Sequence, residues 1–223
     1  DRQSIALEHL RDPTKLVRIG AAQLLTDFDG SGWSEGDRLA FVNAKQELED
    51  MLYSNSDFSS GRLQLGDYFM QTGDLNSAIQ HYETALKKDS LLLLVYSNLA
   101  TAYSLNSMPD RALETLNNWI DFDPDEGRPY YLRGLLNFEL GNPEIAVEDL
   151  QMAIELNPND SRSMYNLATY YYQNKQQVDA ERYIRRALSL EPSNRDFQYL
   201  LALVLKEQGK EQASQQIMQQ LNS

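Results

Sequence analysis

The chain has 223 residues, 42% of them hydrophobic, enough apolar material for one or two domains with a packed core and too much for a disordered chain. Its formal charge of −13, from 33 acidic against 20 basic residues spread along the sequence, argues against sequence-independent nucleic-acid binding, which needs clustered Lys and Arg. With no cysteine it lacks disulfides, thiolate metal sites, cysteine nucleophiles and covalent haem attachment, and its longest purely apolar run, Leu91 to Val95, falls far short of the roughly 20 residues that insert across a membrane.

No signal peptide is evident, and the chain opens at Asp1 without a methionine, which points to an excised fragment or a processed product with targeting information upstream. Residues 1–26 read as a helical pair. In "DPTKLVRIGAAQLL" (12–25), Asp12, Pro13, Val17, Arg18, Ala21, Ala22 and Leu25 stand as they do in the second half of a HEAT-type unit, which the segment resembles.

Residues 27–36 follow as a linker, and "DFDGSGWSEGD" (27–37) supports two readings. Asp27, Asp29 and Ser31, with Gly32 at the bend, match the start of an EF-hand calcium loop; Arg38, however, takes the twelfth place, where a bidentate glutamate belongs, leaving Glu35 or Asp37 to compensate. The second reading accounts for more residues: Gly30 and Gly32 turn the chain, and Ser34 with Asp37 forms a capping box for the next helix. That helix, within 37–58, carries Ala44, Leu48 and Met51 one period before Ala78, Tyr82 and Ala85, and reads as an extra half-repeat.

From residue 59 the sequence repeats itself every 34 residues: Gly66, Ala100, Gly134, Ala168 and Ala202 keep phase without an insertion. So do Ala78, Ala112, Ala146 and Ala180, and then Ser90, Pro124, Pro158 and Pro192. Each unit has two amphipathic helices. In the third, "RPYYLRGLLNFELG" (128–141) closes on Gly141, Asn142 caps and Pro143 starts the second helix, and Pro158 stops it. Asp160 or Ser161 then caps the next unit. The units run 59–92, 93–126, 127–160, 161–194 and 195–223. In the last, Ala213 falls one residue early, so its second helix is expected to be shortened or shifted and to serve as a polar C-terminal cap.

This pattern resembles the tetratricopeptide repeat family. The second unit shows it as Tyr96, Leu99, Ala100, Tyr103, Ala112, Leu116, Trp119 and Pro124, the fourth as Met164, Leu167, Ala168, Tyr171, Ala180, Ile184, Ala187 and Pro192. The resemblance implies an all-α fold, a right-handed α-α superhelix in which the HEAT-like pair continues the solenoid at its N-terminus. The order of HEAT-like pair, linker and repeats is also similar to the C-terminal region of bacterial multihaem c-type cytochromes. That likeness implies a haem-free part positioning an electron-transfer domain upstream in the same polypeptide, with a periplasmic or extracytoplasmic location favoured and a cytoplasmic one as the alternative.

No catalytic constellation is legible. His9 and His81 stand alone on separate helices, and the pairs Glu148/Asp149 and Asp125/Glu126 read as solvated faces or helix ends. The chain is therefore expected to be no enzyme and to need no cofactor. What the family resemblance implies is a concave surface lined by the first helix of each unit. Its groove positions hold Asn98, Arg128, Tyr131, Phe138, Arg162, Tyr165, Asn166, Tyr172 and Tyr199, aromatic bodies with polar tips suited to a peptide or protein partner. The alternative is that several of these tyrosines serve packing alone. Tyr96, Tyr103, Tyr130 and Tyr171 fall at signature positions and are expected in the core. The carboxylate-holding places of tetratricopeptide co-chaperones match poorly, and Asp67 at one of them would repel a carboxylate.

Overall fold

A computed structural model describes residues 2–222. They form thirteen α-helices and no strand, among the described residues, so the fold is all-α, as the repeat pattern implies. The chain divides into two compact units, 1–115 and 116–223.

The first unit begins with α1 (Arg2–His9) and α2 (Lys15–Leu25), followed by α3 (Glu35–Ser54), α4 (Ser59–Thr72), α5 (Leu75–Lys88) and α6 (Leu93–Leu105). The first four helices share one core: Ala6 and Leu10, then Ile19, Ala22 and Leu25, then Ala44 and Leu48 of α3 and Leu65 of α4. Arg18 fastens α2 to α3 through two hydrogen bonds to Glu47, at 2.9 and 2.6 Å, and a third to the Asp12 carbonyl. This is the work of the arginine in the HEAT-like motif.

Helix α7 (Pro109–Phe122) contains the boundary between the units. The second unit continues with α8 (Gly127–Glu139), α9 (Pro143–Leu156), α10 (Ser161–Gln173), α11 (Gln177–Leu190), α12 (Arg195–Glu207) and α13 (Glu211–Asn222). Its core runs from Leu150 and Ile154 through Met164, Leu167 and Ala168, then Ala180 and Ile184, to Phe197, Leu201 and Leu205. Glu181 ties α11 to the turn between α12 and α13. Burial opposes its charge, but hydrogen bonds from Lys210, Arg185 and Gln208 override that and hold the carboxyl at about 2.

The turn between the two helices of a repeat is itself repeated. Gly141 takes the left-handed conformation at φ 79°, and the next residue, Asn142, donates its N–H to the Asn137 carbonyl at 2.8 Å. One period away, Ser107 (φ 59°) and Lys175 (φ 60°) adopt the same conformation without being glycine, and Gln176 donates to Tyr171 at 2.8 Å. The six-to-one bond compensates for the unfavourable backbone region at these two positions. Asp160 caps α10, accepting from the N–H groups of Arg162 and Ser163. Asn142 stands at the start of α9 but its side chain makes no capping bond; its amide nitrogen donates to Asn137 Oδ1 at 3.3 Å.

The last repeat corrects the sequence expectation. Ala213 is exposed, and the residue in the alanine register is Ser214, 4% exposed. Serine fits because it is nearly as small as alanine and its hydroxyl donates to the Ala202 carbonyl at 2.7 Å. Helix α13 is therefore not shifted, while its 12 residues are fewer than the 14 of α11.

Buried among the first unit's helices is His81, stacked on Phe69 at 5.3 Å, edge-on to Tyr53 at 6.0 Å and with its Nδ1 3.2 Å from Arg62 Nη1. Burial, then the Arg62 charge, lowers its pKa, so the folded chain resists a proton that the unfolded chain accepts near pH 6.5. Stability contributed by neutral His81 is complete above pH 6.5 and is lost as pH falls from there through the folded-state value. The urea midpoint of the wild type should fall between pH 7 and 5, above the carboxylate range, and His81→Gln should flatten that part of the profile. An unchanged slope would show that His81 does not cause it.

Candidate binding surface

In the second unit the first helix of each repeat is α8, α10 or α12, and α10 touches α12. Spacing along α8 puts Arg128, Tyr131 and Phe138 on one stripe; α10 repeats this with Arg162, Tyr165 and Tyr172.

The structure brings four of the expected residues together. Tyr131 is half-buried, and burial raises its pKa, opposed by the charge of Arg162, reinforced by that of Asp160, and opposed again by the Asn166 side chain and the charge of Arg128. The side chains of Arg128 and Arg162 are exposed. A phenol with two guanidinium groups and an amide around it offers hydrogen bonds to a peptide backbone or an acidic side chain beside an apolar ring face.

The other aromatic positions divide. Tyr165 stacks on Phe197 at 5.0 Å, Phe138 lies on Tyr170 at 5.2 Å, and both, with Tyr172, are half-buried against the unit's core. Packing thus takes most of these rings. Tyr199, 52% exposed, keeps its surface open. Asn98 lies in the first unit and donates to Asp67 at 2.9 Å, so it is engaged internally. Of the tyrosines expected in the core, Tyr96 and Tyr103 are buried while Tyr130 and Tyr171 are half-buried. Tyr130 remains partly open because its hydroxyl reaches the Pro124 carbonyl, with Arg133 over its ring at 5.6 Å.

Asp149 is not on a solvated face. It is 4% exposed and forms a two-point bond with Arg133, at 2.9 and 2.6 Å, while a third Arg133 nitrogen donates to Asn117. The sequence carries no local signal of this, since the partners lie 16 residues apart on different helices. Glu126, by contrast, sits at a helix end as expected and accepts from the Arg128 N–H.

In the 27–37 segment Ser34 caps α3, accepting from the Asp37 N–H at 3.1 Å, and Asp37 bonds Arg11 at 2.8 Å. Asp29 accepts from the Ser31 N–H within its own turn. No group of three or more His, Cys, Asp or Glu side chains among the described residues could hold a metal ion.

Family models described as tetratricopeptide repeat match residues 63–127, 99–167 and 161–194. Residues 63–194 carry tetratricopeptide repeats. Hsp70-Hsp90 organizing protein 2 of Arabidopsis thaliana is 29% identical over 134 residues, 60% of this chain and 20% of its own length. The corresponding protein of Triticum aestivum is 28% identical over 142 residues, 63% of this chain and 21% of its own. The match therefore spans about a fifth of those relatives' length.

Among solved structures, MamA superposes with a TM-score of 0.63 at 22% identity, over 75% of this chain and 91% of that one. A tetratricopeptide repeat protein from Parabacteroides merdae gives 0.61 at 19% identity, over 97% and 79%. YrrB, described as having an unusual peptide-binding site, gives 0.56 at 17% identity, over 78% and 89%. At these identities the likeness is one of fold. The multihaem cytochrome layout finds no support in these relatives.

Proposed function

We infer that this protein is a non-catalytic scaffold whose second unit holds a protein or extended peptide on the surface of α8, α10 and α12. The observation that carries this reading is the cluster of Tyr131, Asn166, Arg162 and Arg128, with Tyr199 exposed further along. The partner is a separate protein or another part of the same polypeptide. A chaperone-tail receptor fits less well, despite the likeness to Hsp70-Hsp90 organizing proteins, because the Asp67 carboxylate stands where that ligand's own carboxylate would need a donor, and it already occupies the Asn98 amide.

Arg162 and Tyr199 are both exposed, so replacing them leaves the core intact. Immobilised wild-type chain should retain a discrete partner from native lysate, and Arg162→Glu with Tyr199→Ala should release it while circular dichroism stays unchanged. Equal retention by the variant would refute the reading.

A further inference from the structure

A second candidate site lies in the first unit, away from the tyrosine and arginine positions. Between α2, α3 and α4 is a cleft of about 360 Å³, floored by Leu48, Leu52 and Tyr68. Three exposed glutamines, Gln23, Gln64 and Gln71, stand around it. None of the residues lining the cleft is basic, and its one charged group is Asp67.

Asp67 is held in a particular way. Its Oδ1 accepts from the Tyr82 hydroxyl at 2.7 Å and the Asn98 amide at 2.9 Å, two neutral donors that fix the carboxylate without neutralising it. Its Oδ2 receives no hydrogen bond, and Asp67 forms no ion pair, among the described residues. Tyr68 adds a second carboxylate one hydrogen bond from the lining, since its hydroxyl donates to Glu49 at 2.7 Å. Lys45 stands 4.0 Å from Glu49, whereas Asp67 has no such cation.

We propose that this cleft receives a lysine or arginine side chain of a partner protein: the methylene stem lies on Leu48, Leu52 and the Tyr68 ring, and the cationic head bonds Asp67 Oδ2 and the glutamine oxygens. Stem and head require different surfaces, and the cleft supplies both. Charge complementarity selects this occupant, because an acidic side chain would meet an uncompensated carboxylate and an apolar one would cover Asp67 Oδ2 without giving it a donor. The assignment does not depend on the reading of the second unit, and either can fail alone.

The test is an NMR titration of the ¹⁵N-labelled full chain with acetyl-lysine methylamide and, separately, with the uncharged acetyl-norleucine methylamide. Probe concentrations should reach about 20 mM, since a single pocketed side chain is expected to bind with a Kd on the order of 1 mM. The lysine probe should shift the side-chain amide signals of Gln23, Gln64 and Gln71, and the norleucine probe should not. Asp67→Asn keeps an oxygen for Tyr82 and Asn98 and should weaken the lysine response about tenfold or more. Gln71→Leu, a surface change, should weaken it less. Equal shifts with both probes, no shift with lysine, or a response untouched by Asp67→Asn would each overturn the proposal.

Discussion

Arg133→Met should destabilise the second unit by about 3–5 kcal/mol, the largest loss expected from any single polar substitution in the chain. The reason is what it leaves behind. The Asp149 side chain is 5% exposed, and Arg133, itself 23% exposed, supplies both of the close donors to its oxygens. Methionine fills much of the arginine's volume, so the loss measures an uncompensated buried charge rather than a cavity. Arg133→Met combined with Asp149→Leu should recover most of it, because a buried ion pair exchanged for apolar groups of similar size is close to neutral. Denaturation followed by circular dichroism, with hydrogen exchange to assign the loss to α8 and α9, gives the comparison. A double variant as unstable as the single one would mean that the arginine acts through packing and not through Asp149.

Gly66→Ala should cost about 3 kcal/mol, against the usual gain of up to about 1 kcal/mol when alanine replaces glycine in a helix. A β-carbon at Gly66 would stand 2.3 Å from Tyr82 Cε1 and 2.4 Å from Cδ1. Tyr82 cannot turn aside: it is 1% exposed and its hydroxyl is anchored to Asp67. Alanine is nonetheless the native residue at this place in three other units, Ala100, Ala168 and Ala202. The difference lies in the corresponding residue of the second helix, which is Tyr82 in the first unit but Leu116, Ile184 and Met218 in the three units that carry alanine. Gly66→Ala should therefore be much less costly in a Tyr82→Leu background, as urea denaturation of the four chains of a double-mutant cycle will show. Additive costs would place the strain elsewhere.

The same pair shows what can be read from sequence. The 34-residue period, the small residue at each close approach and the turn at Gly141 are legible because each is imposed within a few residues of chain. The cap at Asp160 is local too, and the structure has it as expected. Ser214 was harder to read, since the eye follows alanine, while the packing site asks only for a small side chain and a partner for its hydroxyl. The candidate surface was legible as a set of positions but not as a site. Tyr131, Tyr165, Phe138 and Tyr172 all pack partly against the core, and of these Tyr131 also feels the charges of Arg162 and Arg128.

By itself the sequence determined that this is a helical repeat protein and the phase of its repeats, because helix periodicity, caps and left-handed turns are local properties of the backbone. Only the tertiary structure decided which polar side chains are partners. Asp149 finds Arg133 on the preceding helix, and Asp67 is held by Tyr82 and Asn98 from two other helices. Those meetings depend on how neighbouring helices are set against one another, and burial then turns a charge that would be solvated on an isolated helix into a strong constraint on what it must bind.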